Sequence, residues 1–243
     1  MSENAKEVPL HVQAASYMRD KIYAHEWIPE HQIPVEHELC EMLGMSRGTV
    51  RRAIKTLVSE NLLVQMHGKG TFVTSFTLTH PTGSMLMSFA ESLALQGVEF
   101  TTKVLRQETV PADAFASSRL FVPMGSPVLM LDRLRRVEGK PILLIESIIN
   151  LRALPGLEDV DYTEKSLFNS IESKFGKKIG YSNARYAARV VGKGRGELME
   201  VSEDAPVLHL EQQIFLTDNT PAEWSNVWLI ANKYIVGTVL QRM

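Results

Sequence analysis

The sequence predicts an α+β chain in two units, a small helical unit closed by a β-hairpin and a larger unit built on an antiparallel sheet. Three observations carry this prediction. Two short segments with apolar residues at helical spacing, 35–43 and 46–57, are separated only by Gly44 and Met45. A Gly68, Lys69, Gly70 turn stands between two strand-like runs. The pattern Pro-Val-Leu-x-Leu occurs at 127–131 and again at 206–210, each time followed by a turn and a second strand-like run. Recurrence every three or four residues marks helices, and short β-rich runs bounded by turn residues mark strands.

In chain order, Leu10, Ala14, Met18 and Ile22 stand four apart with Tyr17 beside them, an amphipathic first helix that ends before Trp27. Pro29 and Pro34 mark a loop. Segment 35–43 is a short second helix that stops at Gly44, a residue type common just past a helix C-terminus. Ser46 occupies an N-cap position for the third helix. One stripe of that helix, Val50, Ala53, Ile54 and Leu57, is apolar enough to bury, while Gly48, Thr49, Arg51, Arg52 and Lys55 fall on the other side. Two helices joined by so short a glycine-containing turn form a helix-turn-helix signature. Strand-like runs 61–66 and 71–74 then flank the turn 67–70. Small residues at its tip let the backbone approach a groove wall, the property of a wing. Taken alone, the third helix also fits a solvated basic face, and the hairpin an ordinary exposed one.

Charge placement separates these readings. The whole chain carries a net charge of −2, which disfavours a general polyanion binder. From 46 to 75, however, five cations (Arg47, Arg51, Arg52, Lys55 and Lys69) face the single anion Glu60. Compensating acids lie earlier, at Glu26, Glu30, Glu36, Glu38 and Glu41. A local basic stripe in a neutral chain fits a dedicated contact surface. The free N–H groups of a helix start suit a phosphate oxygen, and cations on a short helix suit the major groove of DNA. The single cysteine, Cys40, excludes an internal disulfide and fits a reducing cytoplasm; beside Leu39 it is expected to be a buried thiol. No signal-peptide core and no membrane-length apolar run is present in the sequence. His11, His25, His31, His37 and His67 show no zinc-ligand spacing and are expected at the surface, so no metal or cofactor is expected.

The polar stretch 75–84 reads as a connector, and 85–96 as a helix closed by Gly97 whose Met/Phe stripe serves packing. The two Pro-Val-Leu-x-Leu blocks read as related hairpins in one antiparallel sheet, with helices near 164–175 and 194–199 covering one face. Arg133 and Arg135 stand two apart on a strand and so share a face. Such a pair can grip a phosphate or carboxylate, or can be salt-bridged to a neighbour such as Glu146. Glu146 and Glu223 are either acceptors for sugar hydroxyls or solvent-facing strand acids.

The blocks Ser46-Arg47-Gly48-Thr49-Val50-Arg51-Arg52-Ala53, Leu57-Val58-Ser59-Glu60-Asn61-Leu62-Leu63 and Gly68-Lys69-Gly70-Thr71-Phe72-Val73 resemble the winged helix-turn-helix of GntR-type bacterial transcription regulators. The resemblance spans the first third of the chain. It implies that Arg47, Thr49 and Arg51 contact bases and phosphates, that Gly68 enters the minor groove, and that Arg52 and Lys69 hold the DNA backbone. One departure is Val35 in Ile33-Pro34-Val35-Glu36, where the family commonly has the serine of Leu-Pro-Ser-Glu. The remainder resembles the UTRA effector-binding domain of the HutC/FarR branch, through Ser88-Phe89, Arg133-x-Arg135, Pro141, Glu146-Ser147, Pro206-Val207 and Glu223-x-Ser225. That resemblance implies a fold similar to chorismate lyase and a pocket for a sugar phosphate or organic acid. By position its candidates are Ser88, Phe89, Arg133, Arg135, Glu146, Ser166, Glu223 and Tyr234. Phe168 replaces the tyrosine of the Ser-x-Tyr often found there.

The expected organisation is a winged helix-turn-helix domain at 1–75, a linker at 76–83 and an effector-binding and dimerisation domain at 84–243. The expected function is that of a cytoplasmic homodimeric repressor, released from a near-palindromic double-stranded operator by a small anionic metabolite. The alternative is an enzyme, similar to chorismate lyase, acting on a small carboxylate. It is disfavoured because the sequence offers no Ser/His/Asp, Cys/His or metal constellation.

Overall fold

In the computed structural model, residues 8–24, 26–60, 62–74, 78–81 and 86–237 are described. His25, Asn61, residues 1–7 and half of the expected linker lie outside them. The chain forms two units, Met1–Thr77 and Leu78–Met243.

The first unit is built on three helices, α1 (Leu10–Tyr23), α2 (Glu36–Leu43) and α3 (Arg47–Ser59), and a hairpin of β1 (Leu63–Met66) and β2 (Gly70–Val73). Ala14, Ala15, Met18 and Ile22 of α1 pack on Val50, Ala53, Ile54 and Leu57 of α3. Each fully buried Leu, Ile or Met contributes about 1.5–3 kcal/mol, so this stripe fixes which side of α3 remains in solvent. Arg19 of α1 donates through Nε and Nη2 to the Glu60 carboxylate at the far end of α3, at 2.7–3.0 Å. Gly44 ends α2 in the left-handed region at φ 63°, which a side chain rarely adopts. Val35 cannot cap α2 with a side chain; instead Glu38 accepts its N–H at 2.9 Å. The loop expected at 29–34 is stitched to β2. Glu30 N–H donates to Val73 O, Val73 N–H to His31 O, and Ile33 N–H to Thr71 O. Cys40 is half-buried against the core.

The second unit centres on a six-stranded antiparallel sheet in the order β4-β5-β6-β9-β8-β7. Its first half is β4 (Thr101–Pro111), α5 (Ala114–Leu120), β5 (Pro127–Val137) and β6 (Lys140–Asn150). Its second half repeats the plan with β7 (Ile179–Val190), α7 (Lys193–Met199), β8 (Pro206–Leu216) and β9 (Pro221–Ile230). The repeated sequence pattern is thus the trace of a doubled strand–helix–hairpin unit, and the halves meet where β6 pairs with β9. Between the halves come α6 (Leu167–Asn169) and a π-helical turn over Ser170–Lys174.

Three expectations are corrected. The helix expected from 85 begins at Phe89, as α4 (Phe89–Leu95). Ser88 Oγ accepts the Glu91 N–H, and Glu91 returns a carboxylate to the Ser88 N–H at 2.7 Å, a capping box that fixes the start. The helices at 164–175 and 194–199 do not share a face. Leu167 and Phe168 of α6 pack with Leu129, Leu131 and Ile149, whereas Met199 of α7 packs with Leu134 and Leu144, which point the other way from β5 and β6. The expected linker contains a strand, β3 (Leu78–Pro81), paired in parallel with β10 (Tyr234–Gly237). Leu78 and Tyr234 join Phe89 and Leu93 in the core beside α4.

Candidate nucleic-acid interface and effector pocket

The packed stripe of α3 turns its cations outward. Arg47, Arg51, Arg52 and Lys55 are exposed, as are Gly68 and Lys69 at the wing tip. Ser46 holds the start of the helix, its Oγ accepting the Thr49 N–H at 3.3 Å and sharing a hydrogen bond with Thr49 Oγ1 at 2.9 Å. Thr49 is therefore half-buried and oriented by its cap. Arg51 makes an ion pair within this surface: its Nε donates to both carboxylate oxygens of Glu36, at 3.0 and 2.8 Å. The wing turn closes by Lys69 N–H donating to Met66 O, and Gln32 Nε2 donates to Lys69 O at 3.2 Å. Gly70 stands at φ 125°, a conformation that residues with a side chain rarely adopt, and a Cβ there would also displace the Gln32 amide. A cleft of about 410 Å³ opens between the start of α2, α3 and the wing, lined in part by Glu36, Ile54, Gln65, Gly68 and Thr71.

In the second unit a small cavity lies on the sheet face that carries α4 and α6. It is lined by Met87, Ser88, Phe89, Arg133, Arg135, Ile145, Leu167, Phe168, Gln212 and Glu223. The cavity is small, with a volume of about 30 Å³. Arg133 and Arg135 are buried, at 4% and 3% exposure. Arg133 Nη2 donates to Ser147 Oγ at 3.0 Å, and Ser147 Oγ donates onward to Glu223 at 2.6 Å. The direct Arg133–Glu223 separation is 3.7 Å. Arg133 Nε and Arg135 Nε and Nη1 have no hydrogen-bond partner among the described residues. The Arg135 guanidinium lies over the Phe100 ring at 5.0 Å.

Leaving such donors unmet in a dry interior is costly. Burial, reinforced by repulsion from Arg133, pulls the Arg135 guanidinium down to about 9. Burial lowers Arg133 as well, opposed by Glu223. Burial also raises the Glu223 carboxyl, opposed by Arg133 and Ser147. Two guanidinia against one carboxylate leave one positive charge without a counter-ion in the cavity wall. An anion supplies both the missing charge and the missing acceptors.

The remaining expected pocket residues are placed differently. Glu146 lies on the opposite face, because it precedes Ser147 by one residue on a strand. There it accepts hydrogen bonds from Arg195 Nε and Nη2 and from Trp228 Nε1. Ser166 caps α6, accepting the Asn169 N–H at 3.1 Å, and so positions Leu167 and Phe168 without lining the cavity. Tyr234 packs edge-on against Phe89 at 5.7 Å and donates to Ser92 Oγ. Sequence reasoning missed Met87, Ile145, Leu167, Phe168 and Gln212. Gln212 was accessible from the repeated pattern, since it holds in the second block the place Arg133 holds in the first. Among the described residues no cluster of three or more His, Cys, Asp or Glu suited to a metal ion occurs. No described helix is long and apolar enough to cross a membrane.

Comparison with known proteins gives concordant matches in both units. Residues 10–73 match the model of bacterial regulatory proteins, gntR family, and residues 95–235 match that of the UTRA domain. The chain is 28% identical over 234 residues to the mannosyl-D-glycerate transport/metabolism system repressor MngR of Escherichia coli K12, covering 96% of this chain and 97% of that protein. It is 26% identical over 229 residues to the HTH-type transcriptional regulator GmuR of Bacillus subtilis, covering 93% and 95%. The crystal structure of PhnF from Mycobacterium smegmatis shares the fold, with a TM-score of 0.66 over 97% of this chain and all of that one, at 20% identity.

Proposed function

The chain belongs to the gntR family of bacterial regulatory proteins that carry a UTRA domain, and from that premise we propose that it is a cytoplasmic homodimeric repressor released from its operator by a small anionic metabolite. It is a DNA-binding transcription regulator and not an enzyme; the alternative reading as an enzyme on a small carboxylate finds no support in its relatives. In this reading α3 enters the major groove. Arg47, Thr49 and Arg51 face bases and phosphates, Arg52 and Lys69 hold the backbone, and Gly68 lets the wing approach the minor groove. Two-fold symmetry of a dimer calls for a near-palindromic operator.

The observation that carries the effector assignment is the buried pair Arg133 and Arg135 with three unpartnered donor atoms. Ser88, at the start of α4, and Gln212 stand by to add neutral hydrogen bonds, while Phe89, Ile145, Leu167 and Phe168 form an apolar wall. A carboxylate or phosphate seated on the arginines, with a compact body against that wall, fits this lining. The Escherichia coli relative represses a system for mannosyl-D-glycerate, whose glycerate end is a carboxylate. The effector lowers operator affinity only by as much as it prefers one arrangement of the protein.

The test is a DNA-release assay on duplexes from the genomic neighbourhood of the gene. Wild type is expected to prefer one duplex over random DNA and to release it with one member of a panel of phosphorylated sugars and carboxylates. The paired substitution R133A/R135A is expected to keep DNA binding and lose release. Full release by that variant overturns the pocket assignment, and no preference among duplexes overturns the regulator reading of this surface.

A further inference from the structure

Glu36 is an anion in a surface otherwise built from cations. It sits at the first position of α2, within the cleft bordered by α3 and the wing. Helix-dipole stabilisation accounts for an acid in the first turn, but not for where this carboxylate points. It engages one atom of one arginine: both oxygens accept from Arg51 Nε. Neither Nη atom of Arg51 has a protein partner among the described residues. The other cations of α3, Arg47, Arg52 and Lys55, form no ion pair among the described residues.

The geometry divides the guanidinium into two edges. The Nε side is docked on α2, and the Nη1/Nη2 edge points away from that anchor. A guanine presents O6 and N7 side by side, and the two terminal nitrogens of an arginine match that spacing. An unanchored arginine on an exposed helix samples many rotamers and loses that freedom on binding; a carboxylate that fixes Nε removes part of the loss beforehand. Because the pair is solvent-exposed, its contribution to fold stability is small. If α3 lies in the groove, a negative charge on this surface also disfavours DNA of any sequence, since the phosphate backbone repels it. An acid kept at such a place trades general affinity for discrimination.

We infer that Glu36 is a positioning residue for sequence readout, holding Arg51 by Nε so that its Nη edge reads one base pair. This rests on the reading of α3 as the recognition helix with Arg51 facing a base. It predicts opposite effects on two measurable quantities, which a purely structural ion pair does not.

The experiment uses the full chain and duplexes enriched from a random pool by the wild-type protein. Each base pair of the enriched site is then varied singly, and affinities are measured for wild type, R51A, E36A, E36D and the double variant E36A/R51A. R51A is expected to lose roughly 5- to 150-fold discrimination at one base pair of each half-site. E36A is expected to lose about 3- to 10-fold at the same base pair while binding unrelated duplexes more tightly than wild type. E36D restores part of the discrimination, and E36A adds nothing in the R51A background. Unchanged discrimination in E36A, a loss at a different base pair, or an additive loss in the double variant overturns the inference while leaving the Arg51 reading intact. Unchanged discrimination in R51A overturns that reading and the inference with it.

Discussion

The arginines of the two units are set in opposite environments. Arg47, Arg51 and Arg52 stand in solvent on α3, and the one donor among them with a side-chain partner among the described residues is Arg51 Nε, on Glu36. Arg133 and Arg135 are almost wholly buried, with three donor atoms that no described residue satisfies. Exposed cations cost little to maintain and their affinity for a polyanion comes from released counterions. Buried cations destabilise the empty protein, and a ligand that meets them recovers that cost. On the proposed reading, the exposed set costs the free protein little, and the buried set would be relieved by an anion.

The largest effect that tests this contrast lies inside the pocket. Arg133→Met leaves Glu223 buried with only Ser147 as a partner, so the ligand-free protein is expected to lose about 3 kcal/mol, the lower end for a broken buried pair. That corresponds to a fall of roughly 6–12 °C in the melting temperature of a unit of this size. Arg135→Met removes a charge that forms no ion pair among the described residues and replaces it with an apolar stem of similar length. Glu91 and Tyr234 offset only part of the cost of that charge, so the substitution is expected to change the melting temperature far less than Arg133→Met, while abolishing stabilisation by the effector. Equal destabilisation by both substitutions means that Arg135 has a partner in the empty protein, and the asymmetry within the pocket is lost.

Salt provides the next test. Operator affinity is expected to fall linearly with salt on a log–log plot, with a slope of about −0.9 per neutralised phosphate. Replacing Arg52 or Lys69 by alanine should weaken binding to all duplexes alike and make the slope shallower by about one for each phosphate left without its cation. Effector binding to the buried pair should respond far less, because screening acts weakly away from solvent. A steep salt dependence in both equilibria removes the distinction between the two arginine sets.

The first unit was largely legible because its signals are local. Val50, Ala53, Ile54 and Leu57 repeat at helical spacing, Ser46 caps, and Gly44 stops the helix before. The sheet was legible only where two blocks repeat. β7 escaped notice because most of its side chains are exposed on both faces, so no alternation of apolar and polar residues survives. The start of α4 was misplaced because Ser88 and Glu91 form a capping box inside a run whose apolar residues begin earlier. Within the pocket, the arginine pair was legible from its spacing of two. Glu146 was not, because its face depends on register: it stands directly between Ile145 and Ser147, whose side chains lie on the pocket side.

A third test concerns pH. Burial raises the Glu223 carboxyl above the ordinary carboxylate range, so the folded state holds its proton to a higher pH than the unfolded chain does. Its contribution to stability is fully present below the ordinary carboxylate value and is lost as pH rises through the folded value. Once protonated, Glu223 no longer competes for Arg133, and the cavity gains a unit of positive charge. With sulfate as a probe of constant charge, the melting-temperature gain is expected to grow as pH falls toward the folded value. Glu223→Gln should flatten that dependence; a dependence that survives the substitution places the titrating group elsewhere.

The smallest effect distinguishes the two faces of the sheet. Glu146→Gln keeps an acceptor for Trp228 Nε1 and weakens only a pair with Arg195 whose side chains are 38% and 27% exposed. Such a pair contributes about 1 kcal/mol or less, so the melting temperature should shift by no more than a few degrees. Because Glu146 points away from Arg133 and Arg135, effector-driven DNA release should stay within about twofold of wild type, on the scale of a surface substitution. A loss of release as large as that of R133A/R135A requires the ligand to touch the α7 side of the sheet. The buried arginines would then act on the ligand only through the strands between them.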